Sequence, residues 1–365
     1  LLHIYTLTPF TLIPVLIDEY KLSIVQVGLL VSIPRFAQLL MNIPSGLLAD
    51  MLKPRILIAL SLVTSMIGGL IIFHGTTVLD LLIGFTLISI SSALYHPPAL
   101  SAMTRILPDQ LESRGMGIHG ASGSLGTSLG PITIGLLSKS FGWKYTYVIW
   151  CIPIMIGAIA SLLTPLEARE LKKTAGRKLV APLREVLTIQ FILLLVFTTA
   201  RSAAGSSISA FMTTYLTKGR GMEFSIASLI YGISPLFGII GPLIGGFMGD
   251  RMGLKKSLTS VLSTMIAMLI ALSITPPLLI PLVYLAYSVS SHMTMPISTT
   301  LVARVSSESS RGTAYSLFFI PVSLAGIVMP IVTSMLIEQF GIWIIIPTSI
   351  TLYALAAIIV QSIKE

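Results

Sequence analysis

Two arginines and four histidines stand inside stretches of this sequence that carry no other charge away from their ends. Arg35 is near the middle of the apolar run 24–48 and Arg201 near the middle of 188–216, while His3, His96, His119 and His292 occupy four further runs and His74 the end of a fifth. If those runs are helices in lipid, each charge at mid-depth costs at least about 2.5 kcal/mol unless it faces a cavity or a partner. No acid is available inside them. Asp18, Glu19, Asp80, Glu223 and Glu338 fall at the ends of apolar runs, and the other nine Asp and Glu fall in polar connections or the tail. A guanidinium without an internal counterion suits a carboxylate, phosphate or phosphonate that brings the negative charge with it. The alternative is that each arginine donates to helix carbonyls. An imidazole changes charge near neutral pH and could carry a proton through such a segment; the alternative is a hydrogen-bonded packing residue. His96 precedes Pro97 and Pro98, and His292 comes four residues before Pro296, so both stand where proline releases backbone carbonyls from the helix ladder.

The elements that must hold these groups follow from composition. Of 365 residues, 54% are hydrophobic and only 10% charged, too few polar side chains to cover a soluble protein of this length. Lipid is therefore the expected solvent. A bilayer core about 30 Å thick needs about 20 apolar residues per helix, and the chain divides into runs at 1–17, 24–48, 56–74, 78–104, 115–137, 146–164, 188–216, 225–248, 257–275, 278–303, 312–336 and 342–362. A β-barrel would alternate apolar and polar residues, which Ile192–Val196 and Leu352–Val360 do not. The expected fold is an all-α membrane protein with twelve transmembrane helices. Leu1–Ile17 lacks the basic start and small-residue cleavage site of a signal peptide and is read as the first span. Cys151, the single cysteine, removes disulfide frameworks and cysteine-based metal sites.

The formal charge of +9 follows topology rather than nucleic acid. With the amino terminus inside, the inner loops and tail hold sixteen Lys and Arg and the outer loops five, so both termini are expected to be cytoplasmic. The longest polar stretch, Glu167–Glu185, separates spans six and seven. It divides the chain into an N-terminal six-helix bundle at 1–164, a cytoplasmic linker at 165–187 and a C-terminal six-helix bundle at 188–365. Asp50 and Asp250, Arg114-Gly115 and Arg311-Gly312, and Phe141-Gly142-Trp143 and Phe340-Gly341-Ile342-Trp343 recur at offsets of 197 to 200 residues. Six spans repeated in one orientation is the architecture of two bundles rocking about a mid-membrane site.

Two loops carry the most specific pattern, Gly46-Leu-Leu-Ala-Asp50-Met-Leu-Lys53-Pro-Arg55 and Gly246-Phe-Met-Gly-Asp250-Arg251-Met-Gly253-Leu-Lys255. Small residues allow two helices to touch, and an acid near a helix terminus can pair with nearby bases. Both strings resemble the cytoplasmic loop signature of the major facilitator superfamily; in the first, Met51 stands where a base is expected and Lys53 where a glycine is. Span five carries Gly126-Thr-Ser-Leu-Gly130-Pro131, similar to the glycine and proline motif of antiporters in that superfamily, although close packing accounts for such a string equally well. His3, the string Leu94-Tyr95-His96-Pro97 and the run Arg114-Gly-Met-Gly-Ile-His119-Gly look most like its fosmidomycin-resistance branch of drug efflux proteins.

The resemblance implies a secondary transporter that moves a small organic anion or drug by alternating access, as proton-coupled efflux. The alternative is an importer or exchanger of a metabolite or inorganic anion. Arg35, Arg201, His3, Tyr95 and His292 are the candidate substrate-binding residues, and His96 and His119 the candidate proton carriers. Asp50, Arg55, Asp250, Arg251 and Lys255 are candidate gate residues, and Gly126, Gly130 and Pro131 candidate helix-packing residues. The expected partners are the substrate, protons and the bilayer of the plasma membrane, with no metal, cofactor or nucleic acid, and the expected state is a monomer. A membrane-embedded enzyme would need metal-binding acids, an HExxH pair or intramembrane aspartates, and none occurs in the runs. A non-transporting sensor on the same fold would be expected to carry a signalling domain.

Overall fold

A computed structural model describes residues 1–106, 109–164, 186–307 and 311–364, and every regular element among them is helical. A 3-10 turn at Leu2–Tyr5 leads into α1 (Thr8–Tyr20), followed by α2 (Ile24–Met51), α3 (Pro54–His74), α4 (Val78–Ile106), α5 (Asp109–Leu137) and α6 (Tyr145–Leu163). Then come α7 (Ile189–Thr214), α8 (Phe224–Ile233), α9 (Phe237–Met252), α10 (Leu254–Ile274), α11 (Ile280–Val305), α12 (Arg311–Phe340) and α13 (Ile345–Ser362). The expected linker lies almost wholly outside the described residues.

Local chemistry sets several boundaries. Lys21 takes a left-handed conformation, φ 53°, and ends α1. Ser23 and Gln26 then form a reciprocal capping box at the start of α2. Thr188 caps α7 through the Phe191 amide, and Pro54 opens α3 where its missing N–H costs nothing.

Ten described helical segments are long and apolar enough to cross a membrane. The other two of the expected twelve differ for distinct reasons. The first run is not one helix: the 3-10 turn and the bend at Thr6 and Leu7 leave α1 only 13 residues long. Helix α5 is long, but glycine, serine and threonine replace much of its apolar surface. The eighth run stays one spanning segment, Phe224–Met252, but tightens to a 3-10 stretch at Ser234–Leu236, where Pro235 lies.

The chain forms two compact units, one of Leu1–Ala175 with Glu223–Gly232, the other of Gly176–Met222 with Ile233–Glu365. The first unit is centred on Leu12, Leu30, Leu62, Phe85, Tyr147 and Ile154. Within it the Tyr5 hydroxyl donates to the Tyr147 carbonyl at 2.6 Å, the Tyr147 hydroxyl to Thr8 Oγ1 at 2.8 Å, and the Thr8 hydroxyl back to the Tyr5 carbonyl at 2.9 Å. Such bonds contribute roughly 0.6 kcal/mol each in a membrane protein, and these bind the 3-10 turn and α1 to α6. In the second unit a Cβ at Gly245 of α9 would collide with the Met293 backbone of α11, so only glycine permits that approach.

Each unit also places a cation on the carbonyl end of its third span. Lys144 Nζ donates to the Gly75 carbonyl at 2.7 Å and lies 5.8 Å from the Tyr20 ring and 5.5 Å from the Trp143 ring. Arg220 donates to the carbonyls of Leu272 at 2.8 Å, Ser273 at 2.7 Å and Thr275, with its guanidinium 5.9 Å from the Trp343 ring. Positive charge is stabilising at a helix C-terminus. Tyr20 and Arg220, Gly75 and Thr275, and Trp143 and Trp343 each stand 200 positions apart.

Candidate functional site

In the first unit, Arg35 projects from α2 so that its guanidinium lies 4.5 Å from the ring centroid of Phe10 on α1. It is half-buried, and it pairs with no carboxylate or helix carbonyl among the described residues. Among the described residues its titratable neighbour is the phenol of Tyr231 on α8. A guanidinium resting on an aromatic face keeps its N–H edge free for an anion.

The same unit draws four other candidates into one cluster. The 3-10 turn carries His3 to within 5.2 Å of the His96 ring on α4. Tyr95 meets His96 edge-on at 5.5 Å and stacks on His119 of α5 at 5.9 Å with an 11° tilt. All four side chains are half-buried. No metal-binding group of three or more His, Cys, Asp or Glu occurs among the described residues. The cluster depends on α5 glycines. A Cβ at Gly126 would sit 3.2 Å from His3 Cβ, and one at Gly130 would collide with the Ile4 carbonyl. On the far side, Pro131 and Ile132 lie against Gly232 of α8, where an added Cβ would meet each at 2.9 Å.

The second unit holds Arg201 on α7. Its Nη1 donates to Thr294 Oγ1 of α11 at 3.2 Å and its Nη2 to Ser202 Oγ at 3.5 Å. Nε is buried with no partner, and an unmet buried donor costs about 1–3 kcal/mol. No carboxylate pairs with Arg201 among the described residues. Its titratable neighbours are Tyr353 of α13 and Tyr287 of α11, whose hydroxyls hydrogen-bond to each other at 2.8 Å. His292 points elsewhere: its Nδ1 lies 2.8 Å from the Ser288 carbonyl, and its Cβ packs where a side chain at Gly241 of α9 would be.

The loop residues are dispersed. Asp250 is exposed and makes no ion pair among the described residues. Arg251 covers the Phe247 ring at 4.3 Å, and Lys255 Nζ donates to the Gln361 carbonyl at 2.7 Å. The Arg55 side chain has no described partner, though its carbonyl accepts from Ser161 Oγ at 3.4 Å. The side chain of Asp50 lies outside the described residues. Phe10, Tyr287, Thr294 and Tyr353 emerge as neighbours of the two arginines that the sequence reading did not single out. Tyr287 and Tyr353 carried one faint signal, a hydroxyl inside an apolar run.

Ten helical segments long and apolar enough to cross a membrane, carrying half-buried arginine and imidazole side chains, define a multi-pass membrane protein. Residues 4–292 match the family model described as Major Facilitator Superfamily, and the chain belongs to that superfamily, whose members work by alternating access. Two similar solved structures are those of a bacterial homolog of the human lysosomal transporter Spinster. One is inward-facing and unoccupied, 18% identical with a TM-score of 0.77, covering 99% of this chain and 94% of that one. The other is inward-facing and occupied, 18% identical with a TM-score of 0.79, covering 99% and 93%. At that identity the likeness is one of fold.

Proposed function

We propose that this protein is a proton-coupled exporter of a small organic anion or anionic drug, as in the fosmidomycin-resistance branch it resembles. The observation that carries the reading is that Arg35 and Arg201, both within membrane-crossing helices, have no carboxylate partner among the described residues. A substrate carboxylate or phosphonate would supply the missing charge to either. His3, Tyr95 and His292 complete the substrate path. His96 and His119 exchange protons, with His3 5.2 Å from His96 and Tyr95 in ring contact with both carriers. Asp50, Arg55, Asp250, Arg251 and Lys255 close the inner gate. The two six-helix halves move as bodies in a monomer of the plasma membrane, with both termini cytoplasmic.

The test is anion flux in proteoliposomes with an imposed pH gradient, using phenylphosphonate and benzoate as substrates and counterflow to fix direction. Arg201→Ala and Arg35→Ala are expected to abolish flux while reconstituting as well as wild type. His96→Gln is expected to remove the dependence on the gradient. Undiminished flux in both arginine variants would refute the anion reading, and an unchanged gradient dependence in His96→Gln would refute the proton role.

A further inference from the structure

The surroundings of Arg201 are rich in hydrogen-bond donors and poor in acceptors, and the excess has a definite geometry. A guanidinium carries five N–H groups. The contacts to Thr294 and Ser202 use two of them, and among the described residues the buried Nε has no partner. Thr294 cannot serve as a further donor, because its hydroxyl already donates to the Ser291 carbonyl at 2.7 Å. Tyr287 and Tyr353 are 5% and 1% exposed, and among the described residues each hydroxyl has only the other as partner. Within such a pair one hydroxyl donates and the other accepts, so one O–H stays unspent.

The two sets of donors lie along one face of α7. Tyr353 Oη would be 3.4 Å from a Cβ placed at Gly205. Gly205 is four residues beyond Arg201, hence one turn along the same face. Glycine there leaves nothing of α7 between the phenol pair and the guanidinium side of the helix. Tyr284 stacks on Tyr287 with ring centroids 6.1 Å apart and fixes that ring from behind.

Resting on the anion reading above, we infer that Tyr287 and Tyr353 form, with Arg201, a single oxyanion site in which the guanidinium supplies the charge and the phenol pair a second, neutral donor one helical turn away. The ligand class is a compact carboxylate or phosphonate whose oxygens reach both. An ammonium ion is repelled by the guanidinium and finds no carboxylate there among the described residues. Buried tyrosine donors act only on a correctly placed acceptor, so they select for shape where arginine alone selects for charge.

The experiment is calorimetric binding to the full-length protein in lipid nanodiscs, with phenylphosphonate and benzoate as probes and benzylammonium as the cationic control. Wild type should bind the two anions and not the cation. Tyr287→Phe/Tyr353→Phe removes both hydroxyls together, leaving no orphan, and should weaken anion binding roughly tenfold with its ligand-free melting midpoint held. Wild-type affinity in that variant would overturn the tyrosine role, even while Arg201→Ala still lost binding and the anion reading stood. If wild type bound neither anion, the anion reading itself would fall. Should the double variant not fold, Tyr287→Phe and Tyr353→Phe are measured singly: weakened binding in either supports the site, and unchanged affinity in both overturns it.

Discussion

Replacing Gly130 by alanine tests how the imidazole cluster is held in place. The added Cβ would collide with the Ile4 carbonyl and also lie 3.0 Å from Thr8 Cγ2 and 3.1 Å from the Ile4 carbonyl carbon. The first obstacle is backbone, so no rotamer change relieves it; the 3-10 turn Leu2–Tyr5 must shift away from α5. That turn carries His3 and is fastened to α6 through the Tyr5 hydroxyl. Overpacking of this kind costs about 1–3 kcal/mol, and the loss of one fastening hydrogen bond raises it toward the upper end. For a unit of this size each kcal/mol lowers the melting midpoint by roughly 2–4 °C, so Gly130→Ala should melt about 5–10 °C below wild type. The same helix supplies its own controls. A Cβ at Gly120 meets nothing within 4 Å, so Gly120→Ala should be neutral or slightly stabilising through helix propensity. Gly126→Ala brings a Cβ to 3.2 Å from the His3 side chain and should fall between the two. The assay is thermal unfolding of the detergent-purified variants, followed by tryptophan fluorescence. Equal midpoints for Gly130→Ala and Gly120→Ala would refute the account of the α5 contact.

Arg220→Ala strips the C-terminus of α10 of its guanidinium, removing the donors to the Ser273 and Thr275 carbonyls and leaving Leu272 only the Tyr215 hydroxyl; a loss of about 2 kcal/mol is expected in thermal unfolding, and a shift within error of wild type would count against the cap. The ion pair of Lys139 and Glu223, 2.7 Å apart, gives a pH signature. Hydrogen bonds from Lys139 and Ser225 hold the Glu223 carboxyl below its ordinary value of 4.5. Its contribution to stability is therefore present above pH 4.5 and lost as pH falls through the depressed folded value. Glu223→Gln should accordingly differ from wild type at neutral pH and converge with it in acid, by a small margin that salt erases because both groups are exposed. Parallel melting curves across that range would contradict the assignment.

Membrane identity and the isolation of Arg35 and Arg201 were legible because they depend on one-dimensional facts: run length, charge count and the absence of acids from the runs. The meeting of His3, Tyr95, His96 and His119 was not. His3 sits in what reads as the first span, and nothing in its apolar pattern separates a straight helix from a 3-10 turn followed by a 13-residue helix. The four-residue spacing of Gly126 and Gly130 could be read as a place of close approach, but not that a turn rather than a helix comes close. The 3-10 stretch before Phe237 had a local cue in Pro235, yet proline is common in membrane helices and does not by itself announce such a change. Tyr287 and Tyr353 meet across 66 positions of sequence, a distance no local pattern spans.

The cation at the carbonyl end of the third span is supplied in one unit by Lys144, from the start of α6, and in the other by Arg220, from the end of α7. Aligned by their offset, Lys144 faces Ile344 and Tyr20 faces Arg220, two mismatches at the one place where the halves do the same electrostatic work. The charge thus meets the same carbonyl end in both units although it stands at different positions of the repeat. Resemblance between the halves is better measured by where charge meets carbonyl than by which letters agree.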